Sequence, residues 1–251
     1  MNVSFETIQL YLSEFEIEKD PRTKDFVLIK DGPFSLIAFL TSIFLFIQFI
    51  GPYVMKTKSG FDLRPLMVVM NGLLFGSSVA GVLVNSFITN FGFRDFDAPR
   101  DVFWDEIEIR LVFCFLVYKI FIMFRFVVAV LRKKDEKITI IEKLLPAVQA
   151  LITYVGLILF PCGMFTFIGI TDMIVESVIT GINVIQAVNC GIKINPKLIK
   201  AVKILRFLHF SSTVISTYGL LKLSQGPLFL KTLLLCYGVT GSLYMIKTNL
   251  F

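Results

Sequence analysis

The chain has 251 residues, a formal net charge of +6, 55% hydrophobic residues, 27 phenylalanines and only 18% charged residues. A soluble domain is about 45–50% apolar and about 25% charged, and the mean hydropathy here is +0.77, so a soluble globular domain is excluded. The positive charge sits between apolar runs and forms no basic stripe interleaved with aromatics. It therefore reads as membrane topology and not as a nucleic-acid surface.

Residues 1–32 are of mixed charge and lack an apolar signal-peptide core, so the first span is expected to act as its own insertion signal. Asn2-Val3-Ser4 is a glycosylation sequon, which would place this segment in a lumen. Phe34–Met55 and Leu66–Ile88 follow, both uncharged. Each exceeds the roughly 18 residues that span a hydrocarbon core. Leu111–Leu131 carries Lys119 and Arg125, and Leu144–Phe160 is a fourth run. Met164–Val188 carries Asp172 and Glu176. Ala201–Leu221 is the weakest run, with Lys203, Arg206 and His209, and Pro227–Ile246 has Lys231 near its start.

The pattern predicts an all-α fold: one membrane domain over residues 1–251, with seven transmembrane helices between about residues 34 and 246. Short connections make neighbouring helices antiparallel. The regions holding Lys56, Lys58 and Arg64, then Arg132, Lys133, Lys134 and Lys137, then Lys193, Lys197, Lys200 and Lys203 alternate with neutral or acidic ones. The positive-inside rule puts these three in the cytosol. The N-terminus is then lumenal and the short C-terminus cytosolic, although Arg22, Lys24 and Lys30 beside the first span pull mildly the other way. Cys114, Cys162, Cys190 and Cys236 are scattered, without a C-x-x-C pair, and read as small apolar residues.

Several stretches carry a family resemblance. Asp20-Pro21-Arg22-Thr23-Lys24-Asp25 precedes the first span and Gly51-Pro52-Tyr53-Val54-Met55-Lys56 closes it. Phe61-Asp62-Leu63-Arg64 leads into the second, where Asn71 follows an apolar run. Lys119 lies in the third, and Val130-Leu131-Arg132-Lys133-Lys134 ends it. In this order and spacing they resemble the ELO family of very-long-chain fatty acid elongases over nearly the whole chain, most strongly up to Lys134. The resemblance implies a condensing enzyme of the endoplasmic reticulum, which joins a long-chain acyl-CoA to malonyl-CoA and gives a 3-oxoacyl-CoA. It also implies six helices around an acyl tunnel entered by CoA from the cytosol. Membrane lipids, acyl-CoA, other elongases and later enzymes of the cycle are the partners it suggests. No metal or prosthetic group is implied.

The chemistry departs from that pattern. The family's H-x-x-H-H box presents imidazoles on one helix face, where they can attack a thioester and move protons near neutral pH. Counted from Val130–Lys134, its histidine positions are Glu142, Leu145 and Pro146, and the chain's single histidine is His209. Of the family's K-x-x-E-x-x-D-T, here Lys119, Ile122, Arg125 and Phe126, only the lysine remains. An Asn and a His of the family's fifth helix are Asp172 and Glu176, and a helix-six Gln is Arg206. The family's tyrosine-rich stretch is Ile179–Asn183, and Lys247–Phe251 lacks a lysine-rich retrieval signal.

Ionisable side chains cost about 2.5–3.5 kcal/mol each at a bilayer centre, so these replacements need partners. Lys119, and with it Arg125, is expected to pair with Asp172 or Glu176, either as a polar lining or as a structural pair left by drift. A metal on Asp172, Glu176 and Glu142 is the weaker alternative, since no histidine or cysteine is expected nearby and lysines are expected alongside. Arg132, Lys133 and Lys134 serve two readings equally: CoA-phosphate ligands or positive-inside charge.

Three functional readings follow. The first is an ELO-fold protein without condensing activity that binds acyl-CoA or pairs with elongases. The second is an active enzyme with a relocated nucleophile such as Cys114 beside His209, although two unrelated helix residues is the plainer account of that pair. The third is an unrelated seven-helix receptor or transporter, for which the chain offers neither an internal repeat nor a loop cysteine pair.

Overall fold

The computed structural model describes residues 23, 26–30, 33–89, 102–134, 138–159, 164–188, 195–222 and 228–250. Asn2, Arg22, Lys24, Lys137, Cys162, Cys190 and Lys193 lie outside the described residues. Among those described, every regular element is a helix, the one arrangement besides a closed barrel that satisfies backbone polar groups inside lipid.

A short helix, α1 (Val27–Lys30), precedes the first span. That span is built from α2 (Pro33–Leu45), a π-helical turn (Phe46–Ile50) and α3 (Gly51–Met55). The wide turn has a local cause. Pro52 has no N–H to give to the preceding turn, and the Gly51 N–H bonds back to the Phe46 carbonyl. The remaining helices are α4 (Arg64–Thr89), α5 (Val102–Leu131), α6 (Ile140–Leu159), α7 (Met164–Val188), α8 (Pro196–Lys222) and α9 (Leu228–Leu250). Five helical segments are long and apolar enough to cross a bilayer: Phe34–Met55, Arg64–Thr89, Glu106–Leu131, Ile140–Ile158 and Thr166–Val188. Neither α8 nor α9 is among them, and α8 carries Lys197, Lys200, Lys203 and Arg206 in its first half.

Packing arranges six of the helices as a closed ring. Going round, α4 touches α7, α7 touches α8, α8 touches α9, α9 touches α6, α6 touches α5, and α5 returns to α4. The first span stands outside this ring, against α5 and α6. Its seam is close: a Cβ on Gly51 would come within 2.6 Å of Val130 Cγ1. The main core lies between the first span, α5 and α6, around Leu36, Ile47, Leu116, Met123, Tyr154 and Leu157. A second core joins α6, α8 and α9 through Ile152, Phe210, Leu234, Tyr237 and Met245.

The α8–α9 seam depends on small residues, as membrane helix contacts commonly do. A Cβ on Gly238 would lie 2.7 Å from Val214 Cγ2 and 3.0 Å from the Phe210 carbonyl oxygen. One of these neighbours is backbone and cannot yield cheaply. Gly238→Val is therefore expected to destabilise the fold by about 1–3 kcal/mol. A thermal-unfolding midpoint in detergent that stays at the wild-type value would contradict this seam.

Candidate functional site

The ring encloses a cavity of about 730 Å³, within the usual range of small-molecule sites. All six ring helices contribute to its wall: Asn71 from α4, Arg125 from α5, Gln149 from α6, Glu176 from α7, His209 from α8 and Tyr237 from α9. Among the described residues, the first span contributes none.

The mouth is basic, with Arg64, Arg132 and Lys134 facing inward beside Asp62. It is shaped by how α5 ends. The Lys133 N–H bonds to the Val130 carbonyl and the Lys134 N–H to the Ala129 carbonyl, both at 2.9 Å. This is the Schellman pattern that satisfies the last carbonyls of a helix. It needs a left-handed residue, and Lys133 takes that role with φ of 54°. The turn separates the three basic residues. Arg132 and Lys134 line the cavity, whereas Lys133 points away, its Nζ 3.4 Å from the Lys56 carbonyl. The Phe61 N–H also bonds to the Leu131 carbonyl at 3.0 Å, tying the preceding loop to the same helix end. Across the mouth, Arg64 Nε donates to the Ala187 carbonyl at 3.3 Å.

Glu142, Leu145 and Pro146, singled out by motif spacing, all line the cavity. Glu142 has a structural task that sequence reasoning missed. Thr139 precedes α6, and its N–H bonds to Glu142 Oε2 at 3.1 Å, while the Glu142 N–H lies 3.3 Å from Thr139 Oγ1. This reciprocal arrangement is a capping box, and its T-x-x-E signature is readable at Thr139-Ile140-Ile141-Glu142. Thr139 Oγ1 is also 2.8 Å from the Tyr244 hydroxyl of α9, and Arg206 Nη1 is 3.9 Å from Glu142 Oε1. Pro146 lies inside α6 and brings no N–H to the helix.

The floor is ionic. Lys119 of α5 forms an ion pair with Asp172 of α7, and both are buried, at 1% and 5% exposure. The Lys119 ammonium also lies 5.1 Å from the Phe115 ring centroid and 5.8 Å from that of Tyr118, within cation–π reach. His209 Nδ1 is 3.0 Å from Thr171 Oγ1, and His209 Nε2 is 3.5 Å from Asp172 Oδ1. The Thr171 hydroxyl is given to the Ile168 carbonyl at 2.9 Å. The imidazole thus has a hydroxyl beside one ring nitrogen and a carboxylate near the other.

Arg125 departs from the expected pairing. It makes no ion pair among the described residues, and its guanidinium carbon lies 5.4 Å from the Phe126 ring centroid. Arg125 Nη1 and Glu176 Oε2 are buried without hydrogen-bond partners among the described residues, as are Asn71 Oδ1 and Gln149 Nε2. Cys114 and His209 are not brought together: Cys114 is exposed in an outer groove between α4 and α5, and His209 lines the inner cavity. Among the described residues no group of His, Cys, Asp and Glu is arranged to hold a metal ion.

The ion pair makes a direct prediction. Lys119→Met or Asp172→Leu alone leaves one buried charge uncompensated and is expected to cost about 3–5 kcal/mol. The double variant is expected to cost clearly less than the sum, with a coupling of about 0.5–3 kcal/mol. Additive losses in a denaturation cycle would mean that the two side chains do not act as a pair.

The comparisons with known proteins place this geometry. The ELO: GNS1/SUR4 family model matches residues 31–250. Very long chain fatty acid elongase 1 of Mus musculus is 26% identical over 155 residues, covering 59% of this chain and 54% of the mouse protein. The match thus spans about half the length of that curated relative. With a family match over nearly the whole chain and an all-helical, multi-span architecture around one polar cavity, this protein belongs to the ELO (GNS1/SUR4) family and is a multi-pass, fatty acid elongase-like membrane protein.

Proposed function

We propose that this ELO-family protein holds an acyl-CoA in the ring cavity without condensing it with malonyl-CoA, and serves the elongation system as a binding or partner subunit. The observation that carries the reading is the cavity wall at Glu142, Leu145 and Pro146. On the motif count these are the family's histidine-box positions. Leucine and proline neither attack a thioester nor transfer a proton, and Glu142 is engaged in the α6 cap. His209, the chain's single histidine, is held between Thr171 and the Lys119–Asp172 pair. Both of its ring nitrogens thus face side chains of the protein, Nδ1 the Thr171 hydroxyl and Nε2 the Asp172 carboxylate.

The mouth supports the binding half of the proposal. Arg132, Lys134 and Arg64 converge at the cavity entrance, and guanidinium and ammonium groups suit the phosphates of CoA. In this reading α8 and α9 complete seven spans within one domain, with the basic mouth cytosolic and the N-terminus lumenal. Residence in the endoplasmic reticulum and pairing with active elongases, later enzymes of the cycle or a second copy of this chain belong to the same proposal.

Two measurements test it. Purified protein given malonyl-CoA and acyl-CoAs of several lengths is expected to form no 3-oxoacyl-CoA above background, beside a histidine-intact family member as control. Clear product would overturn the inactive reading and turn attention to Lys119, Glu176 and His209. At the mouth, Arg132→Ala and Lys134→Ala are each expected to weaken CoA binding about 5- to 100-fold, as for a charge-assisted contact of about 1–3 kcal/mol. Lys133→Gly should leave binding unchanged and relieve left-handed strain. Equal losses at all three positions would reduce the mouth to a diffuse field.

A further inference from the structure

Three spaces adjoin in series between the mouth and the outside of the ring. Gln149 and Tyr237 line both the ring cavity and a small apolar waist of about 30 Å³. Asn85 of α4, Leu111 of α5 and Met173 of α7 line both that waist and an apolar groove of about 460 Å³ between α4 and α5. Leu73, Val84, Val117 and Phe121 border the groove and are 36–57% exposed. Both helices carry segments long and apolar enough to cross a bilayer, so the groove opens on lipid hydrocarbon.

The wall is thin where the waist meets the groove. Nearer the mouth, the Lys119–Asp172 pair joins α5 to α7. One turn further from the mouth the same helices present Phe115 and Gly169 to the waist. Met173 stands between waist and groove, its thioether seated on Gly81 of α4, where a Cβ would come within 2.9 Å of Met173 Cε. The waist has room for about two water molecules, so a hydrocarbon chain passes when Met173 turns aside. Methionine is unbranched, with three rotatable bonds, and suits such a position. A tail also has a reason to move on. Against Asp172, Glu176 and His209 it would strip solvation from polar groups and return no hydrogen bond. In the groove it meets apolar side chains and lipid.

We propose that the tail of a long-chain CoA thioester held in the ring passes Met173 and lies in the α4–α5 groove, which makes the groove a lateral portal between the cavity and the bilayer. This rests on the reading above that CoA is held at the basic mouth. No covalent step is involved.

The test is photolabelling of the full-length protein in lipid nanodiscs with palmitoyl-CoA carrying a diazirine at its terminal carbon. The readout is the label that excess unlabelled CoA removes, located by mass spectrometry. We expect that label on the groove face of α4 and α5, within residues 73–85 and 111–121. Gly169→Leu fills the waist, where a Cβ meets Phe115 at an ordinary 3.9 Å, and Ala80→Trp fills the groove from the exposed side. Each is expected to lower the groove label about tenfold, the size of effect that crowding a filled space gives, and to shift label to the ring wall. The variants close the path at different points, so either suffices should the other not fold. Wild-type label confined to the ring wall would overturn the portal and leave the CoA site standing, and so would groove label that persists in both variants. Absence of any CoA-removable label on wild-type protein would overturn the site reading, and the inference with it.

Discussion

The Lys119–Asp172 pair is the contact on which the site's architecture turns. The two helices that carry it, α5 and α7, both pack on α4 and also touch each other directly. The pair braces that contact from inside the bundle. Two charges so deeply buried carry a large desolvation cost, repaid only by good geometry and further polar contacts. The surroundings supply these: aromatic faces on the lysine and an imidazole beside the carboxylate. Once the brace is present, other polar groups can face the same level more cheaply than they could face lipid, and Glu176, Gln149 and His209 do so.

Much of this was legible in the sequence, for identifiable reasons. Long apolar runs specify spans because lipid leaves the backbone few alternatives. Phe34–Met55, Arg64–Thr89 and Thr166–Val188 coincide closely with three of them. Opposite charges inside two runs point to a partner across the bundle, and Lys119 meets Asp172. The same argument misassigned Arg125, because a long side chain can turn to an aromatic face or a cavity instead of a carboxylate, and composition does not reveal which. The ring order was hidden too: that α4 packs on α7 depends on side-chain shapes along whole helices, not on motif spacing.

The helix ends show both outcomes. The α6 cap could have been read directly from Thr139 and Glu142, whose spacing is a standard start signal. The end of α5 could not. A left-handed terminus normally announces itself by glycine or asparagine, and here Lys133 occupies it. Without that turn, Arg132, Lys133 and Lys134 look interchangeable. With it, two of them belong to the cavity and one to the Lys56 carbonyl.

The α6 cap also bears on how such a chain can evolve. Glu142 closes the first turn of α6 through Thr139, stands 3.9 Å from Arg206, and shares Thr139 with Tyr244 of α9. Placing an imidazole there would remove the cap, and if protonated would set a positive charge against the helix N-terminus, where the macrodipole opposes it. On the proposed alignment, the two other box positions would also require exchanging Leu145 and Pro146, and each exchange alone brings no imidazole cluster. On that alignment, acquiring such a box one residue at a time runs uphill in stability, because the first exchange weakens the α6 cap before any imidazole cluster exists.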